Sequence, residues 1–160
     1  PYLNEINMKL KETTLLTVWT HDGPMIMNMI HSSKGLNLGG QVGTVLPINS
    51  AAGKLFAALM GESTIQQWKQ TEYKKLSEQQ INDIDKEIER IGNEKIAFAE
   101  EALARSVASV AIPIFNYNEE FIGSVIVVGF EDAIPGSIAD DRSRYLIEKG
   151  NEISRAFGAT

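Results

Sequence analysis

The first third of the chain has a pattern typical of a helix followed by a strand hairpin. Residues Tyr2 to Lys11 predict a short helix. Two runs rich in β-branched and apolar residues, Thr13–Thr20 and Pro24–His31, are separated only by His21-Asp22-Gly23. An Asp-Gly pair between such runs favours a tight turn, because glycine adopts a positive φ without steric cost. The sequence therefore predicts a β-hairpin.

The second of these strands has apolar residues at successive positions. Met25, Met27 and Met29 are two residues apart and are predicted to share one face, with Ile26 and Ile30 on the other. Both faces would then be apolar, so we expect this strand to be covered on both sides. We expect the methionine face to fill the core more than to form a ligand site.

A loop and a short helix follow. The segment Ser32 to Gly43 is rich in Gly, Ser and Asn and predicts a loop, with a possible short strand at Leu36–Leu38. Residues Ala51 to Met60 have helical composition, with Asn49 or Ser50 placed to cap the first turn and Gly61 placed to end the helix.

The clearest helical pattern covers Glu78 to Ile91. Ser77 and Gln80 have the spacing of a capping box, in which each side chain accepts a hydrogen bond from the other residue's backbone N–H. Gly92 is predicted to close the helix. One face is apolar and the rest is charged, which predicts a surface helix on a core; the apolar face consists of Ile81, Ile84, Ile88 and Ile91.

The last third returns to strands. Ile96–Phe98, Val107–Phe115 and Phe121–Phe130 predict strands, and a final amphipathic helix is predicted from about Ser137 to Phe157. Hairpins that are clustered and separated by helices indicate an α+β fold with a largely antiparallel sheet. We find no repeat or long linker, and we expect residues 1–160 to form one domain.

Composition restricts the function. The chain has no cysteine, so disulfides, thiol nucleophiles and cysteine-based zinc sites are excluded. The net charge of −6 argues against binding of nucleic acid by this chain alone. Phe121–Phe130, the longest nearly apolar stretch, is too short to span a bilayer, and we expect a cytoplasmic protein. The chain starts at Pro1 and not at Met, so we expect a segment upstream to have been removed.

The candidates for catalysis are weak. His21 and His31 have no partner histidine at metal-ligand spacing, and no serine lies in a Gly-x-Ser-x-Gly turn. Glu100 and Glu101 are adjacent, so they are expected to project in different directions. We therefore predict a chain that is not an enzyme and that needs no metal or other cofactor.

The start of the helix at Ala51 has more functional interest. It opens with the small residues Ser50, Ala51, Ala52 and Gly53. A helix N-terminus exposes backbone N–H groups with a partial positive charge, and small side chains let a ligand reach them. A carboxylate could bind there without any arginine. The alternative is that the small residues serve close packing of the helix against the sheet.

Two parts of the chain resemble the effector-binding domain of the IclR family of bacterial transcription regulators. Residues 42–58, VGTVLPINSAAGKLFAA, are similar to one signature of that family. Residues 96–101, 109–115 and 122–129 (IAFAEE, SVAIPIF and IGSVIVVG) are similar to a second. Their order and spacing also agree, so the resemblance covers nearly the whole chain.

The resemblance implies a GAF-like, profilin-like fold: a curved antiparallel sheet flanked by helices, with a pocket for a small-molecule effector on one face. It also implies assembly as a homodimer or homotetramer. DNA would be bound only through an N-terminal winged helix-turn-helix domain that is absent from this chain, and no membrane would be involved. The effector-binding positions that it implies are Leu38, Leu46, Ala51, Ala52, Ala99, Val107, Ser109, Ile126 and Val128.

The chain departs from the family pattern at these positions. Ala99, Ile126 and Val128 stand where members that sense small acids have polar residues, and only Ser109 stays polar. The stretch from Pro47 to Gly53 is also one residue short. Because apolar walls favour apolar ligands, we predict an aromatic or branched carboxylic acid as effector, in preference to acids of glyoxylate size. The alternative function is a GAF-type ligand-binding module attached to a different signalling output.

Overall fold

A computed structural model describes residues 1–34, 40–101 and 106–160, and within them a five-stranded antiparallel sheet is flanked by helices. The strand order is β2-β1-β5-β4-β3. The strands are β1 (Thr13–Thr20), β2 (Gly23–Ile30), β3 (Ala97–Glu101), β4 (Val107–Phe115) and β5 (Phe121–Phe130). The predicted α+β class with an antiparallel sheet is confirmed. The predicted short strand at Leu36–Leu38 lies outside the described residues.

The hairpin of β1 and β2 contains a bulge that the sequence pattern does not predict. Leu16 pairs with Asn28 and Thr17 pairs with Ile26, so Met27 has no partner on β1. An extra residue in one strand reverses the alternation of faces beyond it. Ile26 and Met29 consequently contact the same core cluster. The prediction that Met25, Met27 and Met29 share a face is therefore wrong.

The expected cover on both faces of β2 is incomplete, because Met27 is half exposed; among the described strands β2 lies at an edge of the sheet. Among the described residues, Thr44 and Leu46 cover the start of this edge through backbone hydrogen bonds with Ile26 and Pro24.

The helices are α1 (Tyr2–Leu10), α2 (Ala51–Leu59), α3 (Glu62–Tyr73), α4 (Glu78–Glu94) and α5 (Asp141–Ala156), with a short 3₁₀ helix at Glu131–Ala133. The capping box of Ser77 and Gln80 at the start of α4 is confirmed. None of the described helices is long and apolar enough to cross a membrane.

Three predicted helix boundaries are wrong. Gly61 does not end α2 with a left-handed residue; it precedes α3, a helix that the sequence analysis did not predict. Gly92 lies inside α4, which instead ends at Lys95 in the left-handed conformation with φ 58°. The last helix begins at Asp141, where the Asp140 side chain caps it, and not at Ser137.

The two faces of the sheet pack against different helices. One face, which we call the closed face, packs against α1 and α5 through a cluster that includes Ile6, Ile112 and Leu146. The other face, which we call the cavity face, packs against α2 through Leu15, Phe56 and Ile126.

A third cluster, which we call the tryptophan cluster, attaches α3 to the rest of the molecule. Ile48, Ala57, Ile65, Trp68 and Ile84 are buried in it, and Trp19 of β1 packs against it. The rings of Trp19 and Trp68 meet edge to face, with centroids 5.4 Å apart. This cluster links α3 directly to the chain segment that precedes α2.

Candidate functional site

A cavity of about 450 Å³ lies between the cavity face of the sheet, the N-terminal end of α2 and the segment that leads into it. Every predicted effector-binding residue within the described part of the chain lines it: Leu46, Ala51, Ala52, Ala99, Val107, Ser109, Ile126 and Val128. Leu38, the remaining predicted position, lies outside the described residues. Leu15, Gly40, Thr44, Pro47, Asn49 and Ser50 line the cavity as well.

The sheet side of the cavity comes from neighbouring positions on three strands. Ala99 of β3 pairs with Ser109 of β4, which in turn pairs with Val128 of β5. Paired residues in an antiparallel sheet project to the same side, so these three side chains form a row. The row has one hydroxyl group between two apolar side chains, and Ile126 adds further apolar surface.

The helix side of the cavity is the amide end of α2, where Ala51 and Ala52 are buried. Ser50 caps this helix, and its hydroxyl oxygen accepts a hydrogen bond of 2.9 Å from the N–H of Gly53. The N–H of Lys54 donates to the carbonyl of Ser50. Within the residues that the structure describes, the N–H groups of Ala51 and Ala52 have no acceptor. A bound anion could therefore accept hydrogen bonds from both.

Glycine is required at the third position of α2. A Cβ built on Gly53 would lie 2.0 Å from the carbonyl oxygen of Pro47, which is far inside van der Waals contact. The close approach lets the turn from Pro47 to Ser50 fold tightly over the helix end. The hydroxyl of Ser50 also donates to the carbonyl of Pro47 at 2.7 Å.

A buried carboxylate on α3 holds the same turn. Glu72 is 8% exposed, and its Oε1 accepts a hydrogen bond of 3.0 Å from the N–H of Ile48. Its Oε2 pairs with the ammonium of Lys75 at 2.7 Å. Neither Glu72 nor α3 is predicted from the sequence, because Glu62–Tyr73 is largely polar and has no clear apolar face.

The charged residue of α2, Lys54, does not line the cavity. Lys54 is 8% exposed, and its ammonium donates to the carbonyl of Phe98 at 2.5 Å and lies 3.8 Å from a carboxylate oxygen of Glu87. Burial lowers the pKa of Lys54, a shift that Glu87 opposes and Arg90 adds to. Among the described residues the cavity lining includes Glu100 but no lysine or arginine, so positive potential comes from the helix end.

A second recess of about 620 Å³ lies beside β3, and Lys54, Phe98 and Glu100 contribute to its surface. It shares Ala99, Glu100 and Ala108 with the cavity. None of the residues predicted from the resemblance lies in it except Ala99.

The described residues contain no group of three or more His, Asp or Glu side chains that could hold a metal ion. The side chain of His21 is 93% exposed beside Asp22, and His31 is exposed at the end of β2. The arrangement offers hydrogen-bond donors and apolar surface for binding a small molecule.

A protein-family model of the C-terminal domain of the bacterial transcriptional regulator IclR matches residues 1–155. Comparison with curated protein sequences gives no significant match.

Solved structures with the same fold include HmgR from Pseudomonas aeruginosa, with 22% identity and a TM-score of 0.87 over 99% of this chain. The IclR protein of Thermotoga maritima has 22% identity and a TM-score of 0.78 over 98%. An IclR transcriptional regulator from Alicyclobacillus acidocaldarius has 18% identity and a TM-score of 0.75 over 99%. The chain spans 64%, 66% and 65% of these three proteins, respectively. At these identities the structures establish the fold alone.

Proposed function

Because the chain belongs to the IclR family of bacterial transcriptional regulators, as its C-terminal domain, we propose that it is the effector-sensing domain of such a regulator. The proposed effector is a small, relatively apolar carboxylic acid or an aromatic metabolite, bound in the cavity beside α2. The domain acts by binding and not by catalysis, in the bacterial cytoplasm where the DNA lies.

The observation that carries this proposal is the combination of apolar walls with unpaired amides in one cavity. Its volume of about 450 Å³ falls in the range of roughly 300–1,000 Å³ that small-molecule sites occupy. Most of its lining side chains are apolar, and the N–H groups of Ala51 and Ala52 are the donors at one end. This arrangement suits a ligand with one carboxylate and an apolar body.

The lining also favours a larger acid over one of pyruvate or glyoxylate size. Ala99, Ile126 and Val128 offer no side-chain hydrogen bond to a second polar group, and the polar residues of the lining are Thr44, Asn49, Ser50, Glu100 and Ser109. An acid of pyruvate size would leave much of the cavity without contact. Each buried methylene of a larger ligand contributes about 0.8 kcal/mol.

Regulation would follow from a difference in effector affinity between two arrangements of a homodimer or homotetramer. Only such a difference can shift the occupancy of an operator. DNA contact would belong to a separate N-terminal winged helix-turn-helix domain. The net charge of −6 on this chain supports that division, since DNA binding needs a surplus of Lys and Arg.

The experiment is a thermal-shift and calorimetric screen of the purified protein with phenylacetate, benzoate and 4-methyl-2-oxopentanoate, compared with pyruvate and glyoxylate. Saturation at about 100 times Kd adds about 2.7 kcal/mol to the unfolding free energy, which is a clear rise in Tm. We expect this rise with an aromatic or branched acid. Tight binding of pyruvate or glyoxylate alone would disprove the effector class, and no response to any acid would disprove the carboxylate site.

A backbone substitution tests the amide end directly. Ala51→Pro removes one N–H at the first helical position, where proline is well tolerated. Ser50 already has the extended conformation, φ −77° and ψ 164°, that a residue before proline needs. We expect carboxylate binding to weaken about tenfold, while Tm without ligand stays nearly unchanged. Phenylacetamide, which has no charge, is the matched ligand that should be affected much less.

A further inference from the structure

Glu72 stands out among the buried charged residues because it reaches from α3 to the turn that forms the edge of the cavity. Pro47, Asn49 and Ser50 line the cavity, and Ile48 between them is 1% exposed. The N–H of Ile48 donates to Glu72, and its side chain is buried in the tryptophan cluster. The backbone N–H and the side chain of Ile48 thus contact α3 and the tryptophan cluster, while the residues on either side of Ile48 line the cavity.

A buried carboxylate is costly unless its oxygens are paired. Both oxygens of Glu72 have partners, one in the turn at Ile48 and the other at Lys75 near the surface. The turn itself is otherwise fixed at its ends, by the bonds of Pro47 with Ser50. The bond from Glu72 is the hydrogen bond that joins the middle of the turn to α3.

We propose that Glu72 is a positioning residue of the effector site: its carboxylate holds Ile48 so that the N–H groups of Ala51 and Ala52 face the cavity. The inference rests on the proposed function and adds the residue that controls the geometry of its anion-binding end. Glu72 does not line the cavity and does not touch the effector.

The same contacts make α3 respond to the site. If a bound carboxylate moves the turn, the displacement reaches α3 through two connections, the hydrogen bond to Glu72 and the packing of Ile48 beside Trp68. Trp19 and Trp68 are the two tryptophans of the chain. A change of intrinsic fluorescence on ligand binding is therefore expected in the wild-type protein and is expected to be smaller in Glu72→Ala.

Three variants test the inference. Glu72→Ala removes the acceptor. Glu72→Gln retains a side-chain carbonyl that can accept from Ile48. Lys75→Met removes the ion pair and leaves the bond to Ile48. With phenylacetate as probe, we expect Glu72→Ala to weaken binding about tenfold, and phenylacetamide to be affected much less. Glu72→Gln should restore most of the affinity, and Lys75→Met should leave it nearly unchanged.

A measurement without ligand separates this inference from the proposed function. In Glu72→Ala the backbone amide of Ile48 should exchange with solvent faster, and the NMR shifts of the Ala51 and Ala52 amides should move. The amide of Val110, in the middle of β4, should be unaffected. Glu72→Gln should return all of these signals toward their wild-type values.

The outcomes decide each claim separately. Equal weakening of phenylacetate and phenylacetamide, or unchanged amides of Ile48, Ala51 and Ala52 in Glu72→Ala, would overturn the positioning role even if the wild-type protein binds phenylacetate. Failure of the wild-type protein to bind any aromatic or branched acid would overturn the effector class. The amide measurement would then still support or contradict the role of Glu72 in holding the helix end.

Discussion

The two faces of one sheet differ in how completely helices fill them. On the closed face, α5 lies close enough to β4 that a Cβ on Gly150 would come within 3.1 Å of Ile112 and 3.2 Å of the Pro113 carbonyl. On the cavity face, α2 begins with Ala51 and Ala52, and its N-terminal end leaves about 450 Å³ beside the sheet. The strands β4 and β5 contribute residues to both faces.

The difference shows that cavity formation depends on side-chain size at a few positions. The closed face is filled by large branched residues of α1, α5 and the strands. The wall of the cavity has Ala99, Ser109, Ala51 and Ala52 where larger residues would close it. Large side chains stabilise one face, and the small ones opposite leave room for a ligand. Matched substitutions on the two faces should therefore have different effects.

The largest effect is expected from shortening a leucine on the closed face. Leu146 is 1% exposed, and Leu146→Ala should lower the unfolding free energy by about 3 kcal/mol, from lost burial and the void that remains. Leu46→Ala, at the partly exposed wall of the cavity, should cost only about 1 kcal/mol. Urea denaturation measures both. Similar losses in the two variants would mean that the faces are equally packed.

Adding a side chain should also destabilise the closed face more than the cavity face. Gly150→Leu on the closed face should destabilise the protein by about 2 kcal/mol, because there is no space between α5 and β4. Ala99→Leu should leave the unfolding free energy within about 0.5 kcal/mol, because its new atoms enter the cavity. It should also abolish the ligand-dependent rise in Tm. If Ala99→Leu were as destabilising as Gly150→Leu, the space beside Ala99 would not be free.

Removing a helix cap should lower stability on either face of the sheet, but it should lower ligand affinity only on the cavity face. Asp140 caps α5, and Asp140→Ala should cost about 1 kcal/mol without changing ligand affinity. Ser50→Ala should cost a similar amount and also weaken phenylacetate binding, since Ser50 orders the amide end of α2. Denaturation and calorimetry on both variants test this. Unchanged affinity in Ser50→Ala would contradict the role of that helix end.

The cap of α5 also predicts a pH dependence. Hydrogen bonds from Arg142 lower the pKa of Asp140 to about 2. A carboxyl group with a lowered folded-state pKa stabilises the fold above its unfolded-state pKa, and this contribution is lost as the pH falls through the folded value. Between about pH 4 and pH 2, Asp140→Ala should therefore lose less stability than the wild-type protein. If the unfolding free energies of the two proteins fell in parallel over this pH range, the ion pair of Asp140 with Arg142 would be contradicted.

The smallest effect concerns Lys54, the buried cation behind α2. Its lowered pKa means that the unfolded chain binds a proton more tightly than the folded one. The unfolding free energy should therefore gain a contribution that grows as the pH rises toward the ordinary lysine value of 10.5. Lys54→Met should lack that contribution, which denaturation over this pH range would reveal. If the unfolding free energy depended on pH equally in both proteins, burial would not lower the pKa of Lys54 in the folded protein.

Much of the fold could be predicted from local patterns. The capping box at Ser77, the cap at Ser50 and the hairpin of β1 and β2 are short-range signals, and the structure contains all of them. The two turn residues of the hairpin are His21 and Asp22, because Gly23 already pairs with Thr20 as the first residue of β2. The cavity positions Val107, Ser109 and Val128 follow only from the resemblance to a family. Their side chains carry no chemical signal of a site.

Features that depend on tertiary contacts could not be predicted. The bulge at Met27 follows from how β2 pairs with β1, and composition gives no sign of it. Helix α3 is largely polar and buries only Ile65, Trp68 and Glu72, so it lacks a clear apolar face. The role of Glu72 depends on Ile48, which is 24 residues earlier in the chain.

The most direct test is a titration of ¹⁵N-labelled protein with phenylacetate, followed by NMR of the backbone amides. The account predicts that the largest shifts occur at Ala51 and Ala52, with smaller shifts around Ser109 and Val128. Phenylacetamide should shift the wall residues and affect the two helix amides much less. Shifts confined to the recess at Lys54 and Phe98, or no shifts at Ala51 and Ala52 when phenylacetate binds, would contradict the account.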